Sequence, residues 1–274
     1  MKYLIIDSDY LCHRAKSIYI DVLKSTDLTD ILIGFFKDIE YFCDCFDTKK
    51  VIFCWDSRSN KRYEIYPEYK LNRYFIKKEQ TANEIEEEIK YKKIVKKIKK
   101  YYLKEAGFRN IFYQKGYESD DIIASICLNN ITEKDEAVII SGDYDLCQLI
   151  RSNVSLFDPR MRLYLTLQGF YKRYKILPEQ WCLFKCLAGC ASDNIKGIPK
   201  VGIATAVKYI QNKLKPNLQA YKNIISEEGQ KIIKFNMRLV KLPLEGVQKF
   251  VITDDCVTAE KLKKIKKEII ETVL

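Results

Sequence analysis

Short apolar runs alternate with longer stretches of helical periodicity along this chain, and the alternation predicts its architecture. Tyr3 to Ile6, Val51 to Trp55, Ala137 to Ile140 and Val154 to Phe157 have the length and character of strands buried on both faces, with a weaker candidate at Ile111 to Tyr113. Residues 10–23, 29–46, 84–105 and 120–129 carry apolar positions at helical spacing; in the second, Ile31, Phe35, Ile39 and Phe42 share one stripe. This order predicts an α/β fold with a mostly parallel central sheet flanked by helices. From about Gln168 strand signals fade. Pro178 opens a helix to Ala188, and Gly189, Gly197, Pro199 and Gly202 interrupt the pattern before Ala204 to Gln211 resumes it. That is a helix-hairpin-helix arrangement over residues 178–211, and a lysine-rich amphipathic helix at 259–274 is read as packing and solubility. The division expected is an α/β core over residues 1–167 and a helical region over 168–274.

Carboxylates give the strands a direction. The first two runs end on Asp7 and Asp56, and the third closes on Ser141, Gly142 and Asp143. In an open α/β sheet the ligand crevice lies beyond the carboxyl ends of the strands, so these three side chains are expected to converge. GYESDD, residues 116–121, adds Glu118, Asp120 and Asp121, and Asp145 follows Asp143 by two. Asp120 and Asp121 also suit the first turn of a helix capped by Ser119, whereas Glu118 lacks such a role. So much like charge at one end of a fold repels itself unless a cation sits in its midst, and a divalent metal is the simplest candidate.

Charge changes the picture in one respect. Lys+Arg 48 against Asp+Glu 37 gives 48 − 37 = +11. With several acids gathered in one crevice, the remaining surface must be more basic than the total, which suits a polyanionic partner. Ten cysteines accompany a single histidine, His13, and no Cys-x2-Cys occurs. Cys182, Cys186 and Cys190 recur at helical spacing and read as a packed helix face of reduced thiols in an intracellular, cytoplasmic protein. Asp7 interrupts the first apolar run, so no signal peptide is expected, and the longest apolar run, Ile31 to Phe36, is far too short for a membrane span.

Between the second strand and Ile111 lie about fifty residues, longer than an ordinary crossover, and 57–106 is read as an insertion over the crevice. It contains YPEYKLNR, residues 66–73, where tyrosines alternate with cations as in surfaces that stack bases and meet phosphates; the plainer reading is a Pro-containing loop. Arg14, just beyond Asp7, is a candidate phosphate contact beside the plainer reading of a surface arginine.

Taken together, LIIDSD, WDS, YPEYKLNR, GYESDD, IISGDYDLCQLI, LAGCASDNIKGIPKVGIATA and FNMRLVKLP, in that order over nearly the whole chain, resemble the 5′-nuclease family of flap endonucleases and 5′-3′ exonucleases. They are most similar to stand-alone bacteriophage enzymes and to the nuclease domain of bacterial DNA polymerase I. The resemblance implies two metal groups, Asp7, Asp56, Glu118 and Asp120 with Asp121 beside them, then Asp143, Asp145 and Asp193. It implies two Mg2+ ions, with Mn2+ as a substitute, and in-line phosphodiester hydrolysis. Lys70 and Arg73 match the basic pair that meets the scissile phosphate, and the segment from Arg73 to about Glu105 matches a helical arch over single-stranded 5′ ends. The hairpin at 192–206 matches one that grips duplex DNA and, in some relatives, K+. Tyr69, Lys77, Lys78, Lys185, Lys196, Gly197, Lys200 and Gly202 are the further DNA-binding candidates. The implied partners are DNA with 5′ flaps or single-stranded 5′ ends, RNA:DNA hybrids, and replication proteins, with the chain itself a monomer.

Two departures stand out: Cys190 occupies a usual aspartate position, and Lys200 a usual glycine position in the hairpin. Thiols are poor ligands for magnesium, so the second group is expected to bind it less well or to favour manganese. Two rivals remain: a DNA-binding relative that lost catalysis, and an aspartyl-phosphate phosphatase built on Asp7-Ser8-Asp9, in which the arch and hairpin have no role.

Overall fold

The computed structural model describes residues 1–24, 30–57, 60–73 and 80–273; Lys77 and Lys78 lie outside them. Its sheet is built from β1 (Lys2–Asp7), β2 (Val51–Cys54), β3 (Ile111–Phe112), β4 (Glu136–Ile140), β5 (Val154–Asp158) and β6 (Leu163–Leu165), in the order β3-β2-β1-β4-β5-β6. All neighbours are parallel except β5 and β6. The short antiparallel edge strand β6 is absent from the sequence reading. From β1 the chain winds first to β2 on one side and later to β4 on the other, so the topological switch point lies between β1 and β4.

The helices are α1 (Ser8–Lys16), α2 (Asp30–Cys45), α3 (Asn60–Ile65), α4 (Ala82–Lys97), α5 (Ser119–Asn129), α6 (Leu167–Tyr174), α7 (Trp181–Ala188), α8 (Ile203–Ile210), α9 (Gln219–Ile225), α10 (Glu227–Val240) and α11 (Ala259–Val273). Strand alternation splits the core in two. Leu4, Ile6, Val51, Phe53, Val138 and Ile140 face α1, α2, the later part of α4 and α11. Ile5, Ile52, Cys54, Ala137, Ile139 and Leu156 face α5 and the helices from α6 to α9. Both sheet faces are therefore covered, which is why the strands read as nearly unbroken apolar runs.

Helix α4 starts at a capping box in which Thr81 Oγ1 accepts from the Glu84 amide at 3.3 Å and the Thr81 amide donates to Glu84 Oε2 at 2.7 Å. Its early turns stand off the core with Ile85 and Ile89 about half exposed, while Tyr91 is buried against His13. It continues through a π-helical turn, Ile98–Tyr102, before ending at Glu105. Helix α5 is capped by Glu118 rather than by the expected Ser119. Helix α7 leads into a two-residue ladder, Gly189↔Lys196 and Cys190↔Ile195, and Val201 and Gly202 then enter α8. Gly197 belongs to close backbone packing here, since a Cβ would lie 2.4 Å from the Ala188 carbonyl carbon. Lys200 adopts φ +66, the left-handed conformation that costs an L-residue and suits glycine. All ten cysteines are free thiols. Among the described residues no helix is long and apolar enough to cross a membrane.

Candidate active site

The carboxyl ends of β1, β2 and β4 and the start of α5 bring their acids to one crevice. Asp7 caps α1 and is nearly buried; its Oδ1 accepts from the Tyr10 amide at 3.3 Å and from Ser119 Oγ at 3.2 Å, and its Oδ2 from Ser141 Oγ at 2.8 Å. Asp56, two residues beyond β2, accepts the Ser119 amide at 2.7 Å and donates its own amide to Asp9 Oδ2 at 2.7 Å. Asp9 is thus a member that the sequence reading did not place among the site residues. Burial, then Asp56, pushes Asp7 up to about 8 and Asp9 up to about 7.

The second group follows β4. Asp143 Oδ1 accepts the Asp145 amide at 2.8 Å, and burial followed by the Asp145 charge pushes Asp143 up to about 6. Asp145, Cys190 and Asp193 each offer a ligand atom, all within 4.8 Å of one another. Between the groups, Asp120 is raised well above the ordinary carboxylate range by burial and then by Asp143, Asp7, Glu118 and Asp56, so this side chain feels both sets of charge. These acids hold protons tightly for want of compensating charge. That pattern, with oxygen donors predominating, fits a divalent cation.

Two expected ligands are differently employed. Asp121 is wholly buried, takes both ends of the Arg62 guanidinium at 2.5 and 2.8 Å, and accepts the Leu244 and Glu118 amides at 2.9 and 3.2 Å. With its lone pairs committed inside the fold, it is an anchor for α3 and no longer a candidate ligand. Glu118 accepts from Tyr69 at 2.9 Å and from Lys70 Nζ at 2.5 Å, with Arg62 at 3.4 Å. Burial would raise its pKa, but Lys70 and Arg62 outweigh it and hold Glu118 near 2.

Lys70 and Arg73 stand at the rim between the groups. Lys70 has φ +55, and its amide donates to the Asp193 carbonyl at 2.9 Å. Its ammonium is 3.8 Å from Asp193 Oδ1, and Arg73 Nη2 donates to the same oxygen at 3.0 Å. Both cations are therefore positioned by the carboxylates they border, with the Arg73 side chain 53% exposed and available to a ligand.

The remaining DNA-binding expectations divide. Tyr69 is 3% exposed and serves as a donor to Glu118, so it offers no ring to a base. Arg14 is ion-paired with Asp38, 24 residues away, a partner the local sequence does not reveal. Lys185 pairs with Asp145 and lies 3.7 Å from Cys190 Sγ, which makes it the internal cation of the second group. Lys196, Lys200 and Gly202 are exposed on the hairpin. Arg62, Ser119 and Ser141 join the site without a local signature of that role, since the sequence offers Ser119 only as a helix cap and Ser141 only as a strand end.

A family model for the 5′-3′ exonuclease N-terminal resolvase-like domain matches residues 2–175. The chain is 28% identical over 240 residues to a 5′-3′ exonuclease of Mycoplasmopsis pulmonis, covering 84% of this chain and 75% of that protein. It is 33% identical over 132 residues to the thermostable DNA polymerase I of Thermus caldophilus, 47% of this chain and 16% of the polymerase. Among solved structures, the D15 flap endonuclease of bacteriophage T5, in a pseudo-enzyme-product complex with DNA and metal ions, aligns over 99% of this chain and 98% of its own with a TM-score of 0.76. Their identity is 22%, and the likeness is one of fold.

Proposed function

This chain belongs to the 5′-3′ exonuclease family, and from that premise we propose that it is a structure-selective nuclease that hydrolyses DNA phosphodiesters at 5′ ends or flaps, with Mg2+ as its cation. The observation that carries the proposal is the convergence of Asp7, Asp56, Asp120, Asp143, Asp145 and Asp193 on one crevice with Lys70 and Arg73 at its rim.

Asp7, Asp56 and Asp120 would hold one divalent cation, with Glu118 behind them holding Lys70 in place, and Asp143, Asp145 and Asp193 the other. When bound, such cations supply Lewis acidity: a lowered pKa for the attacking water and neutralisation of phosphodiester charge. The chain's own residues do the positioning. Ser119 and Ser141 fix the Asp7 carboxylate through their hydroxyls. Lys70, kept protonated because Glu118 and Asp193 outweigh the effect of burial, sets a permanent positive charge where charge develops on the phosphate. Arg73 offers a planar fork to the same group. The exposed Lys196 and Lys200 meet duplex backbone at the hairpin, where K+ is also expected. RNA:DNA hybrid ends, action as a monomer beside replication proteins, and a role in primer removal or repair belong to the same proposal.

The test is a 5′-flap duplex labelled at either end, incubated with Mg2+, Mn2+ or EDTA beside the Asp143→Ala variant. Metal-dependent cutting near the flap junction, lost in the variant, is expected. Tight binding without cutting in either metal would establish the rival, a DNA-binding relative without catalysis, which the Lys185 contacts with Asp145 and Cys190 make worth testing.

A further inference from the structure

One cation at the crevice has no part in the scheme above. Lys99 comes from the π-helical turn that follows α4, and it is the half-buried lysine of a helix end whose neighbours Lys96, Lys97 and Lys100 are exposed. Its ammonium lies over the Tyr113 ring, 4.0 Å from the centroid, and 5.5 Å from the centroid of Trp55. Trp55 immediately precedes Asp56, so the aromatic seat is continuous with the end of β2. The charged groups around Lys99 are Asp9 and Asp56, with Lys100 the opposing cation. Burial alone pushes the Lys99 ammonium downward, a cost the two carboxylates partly offset. A lysine needed only for helix solubility would extend into water like its neighbours. This one is folded back onto two rings, a geometry that fixes a positive charge at one place.

We propose that Lys99 is a positioning residue of the first metal group: a counter-charge fixed on Tyr113 and Trp55, beside the end of β2, that weakens the grip of that group on its divalent cation. The inference rests on the metal reading given above. The consequence would be a first group whose affinity for a divalent cation is lower than its carboxylates alone would give.

The test is calorimetric titration of the DNA-free protein with Mn2+, comparing wild type, Lys99→Met, Lys99→Arg and Tyr113→Leu. Removing one unit charge beside a divalent ion is expected to raise Mn2+ affinity about tenfold in Lys99→Met. Lys99→Arg should remain within about twofold of wild type, because charge and ring stacking are both retained. Tyr113→Leu, which keeps the charge but loosens its seat, should fall between and guards against a folding defect in the methionine variant. Unchanged or weaker affinity in folded Lys99→Met overturns the inference while leaving the nuclease reading intact. A wild type that takes up no Mn2+ overturns the reading of the carboxylates themselves, and this inference with it.

Discussion

Replacing Asp121 should unfold the protein more readily without abolishing its response to metal. Asp121 is fully buried and accepts four hydrogen bonds, two from Arg62 at 2.5 and 2.8 Å and two from the amides of Leu244 and Glu118 at 2.9 and 3.2 Å. In Asp121→Ala the Arg62 guanidinium, 3% exposed, would keep only the Leu239 carbonyl at 3.0 Å and the looser Glu118 contact at 3.4 Å. Hydrogen bonds to charged groups contribute about 1.5–3 kcal/mol each, and breaking a buried pair from one side costs about 3–5 kcal/mol. At a urea m-value of about 3 kcal/mol/M, the midpoint should fall by more than about 1 M. Asp120→Ala is the control, since Asp120 suffers from like charge: metal-free, it should unfold at or above the wild-type midpoint, yet lose most of the stabilisation that divalent cation confers. Combining Arg62→Met with Asp121→Leu should recover much of the lost stability, because a well-packed apolar pair removes the stranded charge. An Asp121→Ala protein within about 1 kcal/mol of wild type that no longer responds to Mn2+ would refute this division and restore Asp121 to the ligands.

Other consequences can be checked alongside. Asp7, Asp9 and Asp143 have folded-state pKa values raised to about 8, 7 and 6, so each stabilises below its unfolded value and loses that contribution as pH rises through the folded one. In EDTA the Tm should therefore fall between roughly pH 5 and 8.5, less steeply in Asp7→Asn, whereas saturating Mn2+ should flatten the curve; a Tm that rises in EDTA over this window contradicts the assignment. Cys190→Asp gives the second group an all-oxygen ligand set, and the Mg2+ concentration for half-maximal cutting should drop about tenfold with less change for Mn2+; equal shifts in both metals would remove the thiol as the cause. Lys200→Gly relieves a left-handed lysine at φ +66, so unfolding should cost about 1 kcal/mol more, while the salt dependence of DNA binding should lose a slope of about one.

The backbone of the site was legible because a parallel sheet writes itself plainly. Strands covered on both faces must be apolar throughout, and the first carboxylate after each run marks the crevice, as Asp7, Asp56 and Asp143 do. Pairings across long separations were not legible. Arg14 meets Asp38, Arg62 meets Asp121 and Lys185 meets Asp145, and nothing local distinguishes these cations from solvent-facing ones. Tyr69 misled for a related reason: its basic neighbours suggest an exposed stacking ring, but only the fold shows Glu118 waiting for the hydroxyl. The π-helical turn that brings Lys99 inward escapes periodicity altogether, since one extra residue per turn merely blurs the stripe.

The central place of β1 bears on how this protein is born. The strand made first has one neighbour completed by residue 54 and the other only by residue 140, and the crevice between them still lacks Asp193 from the hairpin beyond α7. On a chain emerging from the ribosome the crevice therefore stays unfinished until residue 193 has been made. Assembly of the crevice is thus a late event of folding, dependent on pairings far apart in the sequence.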